Sequence, residues 1–243
     1  MYIGIDRVLE ALKNGEGIER IYFENSARGT AIDEIRQLAS KEGVPINYVP
    51  QAKLDGFNIT DHQGVIAMRS KVSYVELQSL ISLVFDSGKA PLFLILDGIT
   101  DIRNIGGIAR SAFCLGADGI IIPDKGIGAL NEDAVLTSAG ALERIPVCRV
   151  NSLLKAIDEL HLNGIKVYGT EMKADLSIDK VDWKEPAAII MGSEDKGIYP
   201  ALLKACDDTV KIPMAGDFES LNVSVATGII LYEIMRCRMV IEG

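Results

Sequence analysis

Positively charged residues are scarce in this 243-residue chain, which has 25 Lys and Arg against 34 Asp and Glu and a formal net charge of −9. A protein that coats nucleic acid without selectivity needs a general basic surface, because phosphate contacts come from Lys and Arg. The composition therefore excludes a basic coat. The first seventy residues are close to charge balance, so a localised basic face remains compatible with the sequence.

Cysteine and histidine are also few. The chain has four cysteines, which are far apart and form no CxxC pair: Cys114, Cys148, Cys206 and Cys237. This spacing argues against a disulfide framework and against a zinc site, so we expect no metal and interpret the cysteines as small buried hydrophobic residues. The two histidines, His62 and His161, lie outside the polar motifs described below, and a histidine base is not expected.

Long hydrophobic runs are absent. No apolar run approaches the roughly 20 residues that span a bilayer. The N-terminal stretch MYIGIDRVLEALKNG lacks a basic region followed by an apolar block and a cleavage site. We therefore expect a cytoplasmic protein without a membrane partner.

Alternating helix-like and strand-like segments make up the chain. Residues 1–70 predict a small α/β domain, with helical spacing in IDRVLEALKNG and TAIDEIRQLASKEG and short strands in IERIYF, PINYVP and GVIAMRS. Residues 71–89 predict a linker helix, and a second domain follows over 90–243. Its predicted strands are apolar throughout, which indicates an α/β fold with a parallel sheet covered by helices on both faces: LFLIL, GIIIP, RIPVCRV, IKVYGT, AAIIMG and TVKIP.

Unusual residues follow three of these strands: NIGGIAR after LFLILD, GSEDKG after AAIIM, and AGDFESLNVSVATG after TVKIPM. Because ligands bind outside the carboxyl ends of parallel strands, we expect the three segments to converge on one sheet edge. Structural roles alone are also open: Asn104 as a helix cap, Gly106 and Gly107 for packing, and Gly192 and Gly197 for a turn. Ser220 and Asn222 could likewise be caps of the last helix.

Three motifs, in order and spacing, resemble those of the SpoU (TrmH-like) RNA ribose 2′-O-methyltransferases. They are NxGxxxR at Asn104, Gly106 and Arg110, GxExxG at Gly192, Glu194 and Gly197, and IPM at 212–214 with SLNVSVA at 220–226. The family often has Asp-Pro before the Asn, whereas here Asp101 is followed by Ile102 and Arg103. Residues 1–70 resemble the L30e-like substrate-binding domain of one branch, which includes the bacterial 23S rRNA guanosine 2′-O-methyltransferases.

The resemblance implies a SPOUT-type parallel sheet with a C-terminal trefoil knot, S-adenosylmethionine as cofactor, RNA as substrate and a homodimer. It places the cofactor at Gly192, Ile212 and Leu221, with Thr170 as a further neighbour. It also implies that Arg110 is the catalytic residue. The other polar candidates for the reaction are Asn104, Glu194, Ser220 and Asn222.

A general-base role has been proposed for the arginine in this family. Lowering a guanidinium pKa by about five units, to near 8, costs roughly 7 kcal/mol, so we favour a fixed cation beside the ribose hydroxyl and its phosphate. Glu194 either orients Arg110 or stabilises its own loop. Ribosomal RNA is preferred as the target, with a tRNA 2′-O-methyltransferase or a catalytically silent RNA-binding protein as alternatives. A nicotinamide oxidoreductase would need GxGxxG, which is absent.

Overall fold

The computed structural model describes residues 1–59, 61–128, 130–216 and 220–239. The chain divides into two compact units, Met1–Ser73 and Tyr74–Gly243. Among the helices in the described ranges, none has the length and apolar character to cross a membrane.

The first unit is a four-stranded sheet with helices packed on it. Its elements are β1 (Tyr2–Ile3), α1 (Ile5–Lys13), β2 (Ile18–Glu24), α2 (Thr30–Lys41), β3 (Ile46–Val49), α3 (Gln51–Asp55) and β4 (Val65–Arg69). The strand order is β1-β4-β2-β3, and only β2 and β3 run parallel. The buried residues of α1 and α2 recur every three or four positions, which turns one side of each helix toward the core. β1 and α3 are too short to show a periodicity, and the sequence did not predict them.

The second unit is built around a seven-stranded parallel sheet, which confirms the predicted α/β class. Its strands are β5 (Leu92–Asp97), β6 (Gly119–Pro123), β7 (Val147–Val150), β8 (Lys166–Thr170), β9 (Leu176–Ser177), β10 (Ala187–Gly192) and β11 (Asp208–Lys211). The order is β7-β6-β5-β10-β8-β11-β9, and all neighbouring strands run parallel. Six of the seven were predicted; β9 has only two residues and carries no pattern.

Helices cover both faces of this sheet. They are α4 (Leu77–Asp86), α5 (Ile102–Cys114), α6 (Glu132–Thr137), α7 (Leu153–Leu162), α8 (Pro200–Ala205) and α9 (Val223–Met239), with short 3-10 helices at Ala141–Glu143 and Ile178–Lys180. α4, α7 and α8 share one core cluster with the strands. α5 packs along α9, and α9 also reaches β10.

The helix predicted as a linker over residues 71–89 is shorter in the structure, and it packs into the second unit. α4 spans Leu77–Asp86 and contributes four buried side chains to the core under the sheet. A Cβ on Gly119 would lie 2.6 Å from Leu80 Cδ2, which shows how closely α4 approaches the start of β6. This helix is therefore an integral layer of the second unit.

The four cysteines are free and differ in environment. Cys148 is buried, and burial raises the pKa of its thiol to about 12; the pKa of Cys206 is raised to about 11 for the same reason. Both thiols thus stay protonated and unreactive at neutral pH. The expectation of burial was wrong for Cys114, which lies at the exposed end of α5.

Arg238, near the end of α9, ties this helix to the segments that lead into two central strands. Its guanidinium donates to the backbone carbonyls of Ala90 at 2.7 Å and Trp183 at 2.8 Å, and further to those of Glu185 at 3.0 Å and Pro91 at 3.3 Å. Ala90 and Pro91 precede β5, and the other two precede β10. One planar fork of donors therefore satisfies carbonyls from two separate loops, which an ammonium cannot reproduce.

Replacing Arg238 by Ala is expected to lower the free energy of unfolding by about 3 kcal/mol, because partly buried carbonyls lose a charged donor. Trp183 is the only tryptophan and is buried in the second unit, so urea titration followed by its fluorescence measures this effect. Arg236→Ala is the matched control; Arg236 pairs with Glu233 on the helix surface, and its loss should cost less than about 0.5 kcal/mol. Equal losses for the two variants would contradict this role for Arg238.

Candidate active site

The carboxyl ends of four neighbouring strands meet at one edge of the large sheet. Gly192 at the end of β10 is in register with Asp97 at the end of β5, and Thr170 at the end of β8 is in register with Val210 of β11. The three unusual segments predicted to converge follow β5, β10 and β11. The edge therefore collects polar residues that are up to 118 positions apart in sequence.

A cavity of about 380 Å³ opens at this edge. All four residues proposed for the cofactor line it, namely Thr170, Gly192, Ile212 and Leu221, and so do Glu194 and Ser220. Its remaining walls are largely apolar and include Met191, Val210, Val223, Ala226 and Ile230. A mostly apolar cavity of this size with a polar mouth is typical of a small-molecule site.

Gly192 is required by the backbone around it. A Cβ at this position would lie 2.3 Å from the carbonyl carbon of Gly197 and 2.4 Å from the nitrogen of Ile198. Ser193 and Gly197 exchange two backbone hydrogen bonds, at 2.9 and 3.2 Å, and Gly197 has φ +65°. Gly192 and Gly197 are therefore needed for the turn, as the structural interpretation expects. The same turn forms one wall of the cavity.

Asn104, Glu194 and Asn222 form a hydrogen-bonded cluster, which we call the amide–carboxylate brace. Glu194 Oε1 accepts from Asn104 Nδ2 at 3.1 Å and from Asn222 Nδ2 at 2.6 Å. Asn222 Nδ2 also donates to Asn104 Oδ1 at 3.0 Å. One residue from each of the three motifs is therefore joined directly to the other two.

The hydrogen bonds around the brace show which of Asn104 and Asn222 also caps a helix. Asp101 caps α5 by accepting from Arg103 N at 2.9 Å, so the interpretation of Asn104 as the cap is wrong. The same Asp101 cap starts the helix where the family often has proline. Asn222 does cap α9, because its Oδ1 accepts from Ser224 N at 3.0 Å, while its amide nitrogen serves the brace.

Gly106 and Gly107 allow helices to approach each other. A Cβ on Gly106 would lie 2.3 Å from Thr137 Oγ1 and 2.8 Å from the carbonyl carbon of Thr137, which belongs to α6. A Cβ on Gly107 would lie 3.0 Å from Ser224 Cβ on α9. The packing interpretation left open by the sequence therefore accounts for both positions.

Arg110 lies two turns along α5 from Arg103 and is exposed. Within the described part of the chain it forms no hydrogen bond or ion pair, and it does not line the cavity. Glu194 is bonded to the two asparagines, so the alternative in which Glu194 orients Arg110 is not what the structure contains. Arg110 thus presents a cation without an ion-pair partner among the described residues, on the same helix as Asn104.

Three lysines that sequence reasoning missed also line the cavity: Lys173, Lys196 and Lys211. Each follows or ends a different strand. A single lysine in a polar loop does not indicate a site in the sequence. The three lysines line one cavity only because of the order of the strands that they follow or end.

The fold and this edge together define a class: an α/β protein whose ligand site lies at the carboxyl ends of parallel strands. Comparison with known proteins identifies the family. Residues 91–232 match the SpoU rRNA methylase family, and residues 3–75 match the domain described as RNA 2′-O ribose methyltransferase substrate binding. The chain belongs to the SpoU methylase family of RNA methyltransferases.

Named relatives support this assignment. YacO of Bacillus subtilis, assigned by name to the TrmH family of tRNA/rRNA methyltransferases, is 39% identical over 97% of this chain and 95% of its own. A relative with the same family name from Staphylococcus haemolyticus is 37% identical over the same shares. The solved SpoU methyltransferase AviRb from Streptomyces viridochromogenes, in complex with AdoMet, aligns with a TM-score of 0.62 at 26% identity, covering 98% of this chain and 90% of its own.

The brace predicts non-additive mutations. Asn104→Ala and Asn222→Ala should each lower the free energy of unfolding by about 1–2 kcal/mol, and the double variant should lose about 1 kcal/mol less than their sum. Trp183 fluorescence during urea titration measures all three variants.

Asn131→Ala is the control for the non-additivity expected of the Asn104→Ala and Asn222→Ala pair. Asn131 caps α6 through Asp133 N and Ala134 N and bonds to none of the brace side chains. Combined with Asn222→Ala, it should give simple additivity. Additivity in the Asn104 and Asn222 pair as well would show that the amide–amide bond carries no coupling.

Proposed function

We propose that this protein transfers a methyl group from S-adenosylmethionine to a ribose 2′-hydroxyl of RNA, at a guanosine of 23S ribosomal RNA, in the cytoplasm. The observation that carries the proposal is the cavity at the sheet edge, lined by all four residues expected at the cofactor and bordered by the amide–carboxylate brace. The family membership supplies the reaction class, and the match of the first unit to a ribose methyltransferase substrate-binding domain supports the 2′-oxygen as acceptor.

The cavity fits the proposed cofactor by the chemistry of its lining. Apolar side chains such as Met191, Ile212 and Ile230 suit an adenine ring. Thr170 is held in place because its hydroxyl donates to Ile190 O at 2.9 Å. AviRb, which aligns with this chain along nearly its whole length, was solved in complex with AdoMet. We assign Thr170, Gly192, Ile212 and Leu221 to this ligand.

Bound S-adenosylmethionine supplies an electrophilic methyl group. Arg110 would act as a fixed cation beside the ribose 2′-oxygen and the adjacent phosphate, stabilising negative charge on that oxygen while its proton passes to solvent water and the O–CH3 bond replaces the S–CH3 bond. Its lack of a partner among the described residues leaves its donors available for this contact. A guanidinium fork matches a phosphate in two hydrogen bonds, which holds the ribose in place.

The remaining polar candidates divide into two roles. Asn104, Glu194 and Asn222 bond to one another, so we assign them to positioning: they hold α5, the turn after β10 and the start of α9 at fixed separations. Ser220 is exposed and lines the cavity, and we assign it to contact with the reacting ligands. Arg110 remains the catalytic residue of the proposal.

We prefer ribosomal RNA over transfer RNA because the two-unit organisation resembles the branch that includes the 23S rRNA guanosine 2′-O-methyltransferases. The solved A. aeolicus TrmH/SpoU tRNA modifying enzyme aligns with only 67% of this chain at 25% identity, with a TM-score of 0.55. AviRb aligns with 98% of it. The first unit, which we infer to be the L30e-like domain, therefore serves a substrate that needs an additional binding module.

The same proposal includes the trefoil knot and the homodimer. Packing of α9 against both α5 and β10 is consistent with a threaded C-terminal segment. α9 also has an exposed apolar stripe formed by Val225, Ile229 and Tyr232, which are spaced by four and three residues and so share one side of the helix. A second copy of the chain would bury that stripe, as the family resemblance implies.

The function is tested with methyl-labelled S-adenosylmethionine and unmodified 23S ribosomal RNA or bulk tRNA. We expect label in ribosomal RNA at one alkali-resistant position, because a 2′-O-methyl group blocks hydrolysis of the adjacent phosphodiester. Isothermal titration with the cofactor runs in parallel. Cofactor binding with label only in tRNA would move the target to tRNA, and neither binding nor label would favour a silent RNA-binding protein.

The role of Arg110 has its own test. Arg110→Ala should lower methyl transfer at least about 10²-fold, because a preorganised cation is lost, while cofactor affinity stays near that of the unchanged protein. Arg103→Ala is the control, since Arg103 is on the same helix but is already paired with Asp101. Turnover that survives in Arg110→Ala would exclude Arg110 as the catalytic group.

A further inference from the structure

Three adjacent parallel strands each deliver a lysine to the mouth of the cavity. In the order β10-β8-β11, Lys196 follows the first strand, Lys173 follows the second, and Lys211 ends the third. Because the strands are parallel and neighbouring, their carboxyl ends lie side by side, and all three lysines line the same cavity. We call them the rim lysines.

The backbone of each rim lysine is fixed by hydrogen bonds. Lys173 lies within a turn closed by Ala174 N donating to Glu171 O at 3.2 Å, and Glu171 N donates to Val210 O at 3.0 Å. Lys196 lies inside the turn closed by Ser193 and Gly197. Lys211 is paired in register with Ser177 of β9. The three lysines therefore belong to hydrogen-bonded backbone segments at the carboxyl ends of the strands.

The rim lysines have no acidic partner in the described ranges. None of the ion pairs among the described residues includes them. Two carboxylates share the cavity lining, and one of them, Glu194, accepts hydrogen bonds from Asn104 and Asn222. Three lysines against Glu171 and Glu194 give the lining one more positive than negative charge, in a chain whose net charge is −9.

We propose that the rim lysines form a binding site for RNA phosphates at the mouth of the cavity, next to the nucleotide to be methylated. This inference rests on the proposed function. S-adenosylmethionine has a net positive charge at neutral pH, so three ammonium groups gain more from a polyanion at the mouth than from the cofactor. When RNA phosphates neutralise the rim lysines, the lysines no longer repel the positively charged cofactor. RNA binding and cofactor binding are therefore coupled.

The test uses a variant with Lys173→Gln, Lys196→Gln and Lys211→Gln, which removes charge and keeps most of each side chain. Filter binding of an unmodified 23S ribosomal RNA transcript over a range of salt concentrations measures affinity. The slope of log affinity against log salt should become shallower by about 2–3, at roughly 0.7–0.9 per lost contact, and affinity at low salt should fall at least tenfold. Trp183 fluorescence in urea should show an unchanged unfolding midpoint.

Lys166→Gln is the matched control. Lys166 is exposed at the start of β8, the strand that Lys173 follows, and lies at the opposite edge of the sheet. Its loss should leave the salt slope unchanged. Calorimetry with S-adenosylhomocysteine and with methylthioadenosine, which lacks the amino acid group, should give equal affinities for the unchanged protein and the triple variant.

Two results would overturn the proposal. If the unchanged protein binds RNA and the triple variant keeps its affinity and salt slope, the rim lysines do not contact phosphate. If the variant loses affinity for S-adenosylhomocysteine alone, they hold the cofactor carboxylate instead. Failure of the unchanged protein to bind or methylate either 23S ribosomal RNA or bulk tRNA is a different outcome, which refutes the proposed function itself.

Discussion

The candidate site depends on one carboxylate oxygen, Glu194 Oε1, which accepts hydrogen bonds from two asparagine amides. The donors come from α5 and from the start of α9, and the acceptor from the turn after β10. Hydrogen bonds to a charged acceptor are stronger than those between neutral groups, which makes this an effective junction for three segments distant in sequence. Displacing any one of them would break its hydrogen bonds to both of the others.

The brace works only because the helices are close enough for short side chains to meet. Gly107 faces Ser224 where α5 and α9 cross, and a Cβ there would make an unusually tight contact, 3.0 Å from Ser224 Cβ. Gly106 does the same for α5 and α6. Asn222 adds a local constraint, since its oxygen caps α9 while its nitrogen reaches Asn104. Glycine packing, helix capping and the brace are therefore parts of one arrangement.

The sequence predicted the strands of the large sheet because their apolar runs reflect burial on both faces, as in LFLIL at residues 92–96. It missed β9, α6 and α8, which have two or six residues and therefore no measurable period. Motif resemblance selected the residues around the cavity. It could not reveal that Asn222 bonds to Asn104, because that contact spans 118 positions and follows only from the strand order and the helix crossing.

An acidic protein that acts on a polyanion has to confine its positive charge. Here Arg110 stands on α5, and the rim lysines surround the cavity, while the chain as a whole carries −9. Lysines outnumber carboxylates in the lining, which favours a polyanion there, whereas the net negative charge of the chain as a whole opposes non-specific binding of RNA. Under the proposed function, RNA is then attracted chiefly where its ribose can meet the cofactor. The scarcity of Lys and Arg elsewhere therefore helps to orient the RNA on the protein.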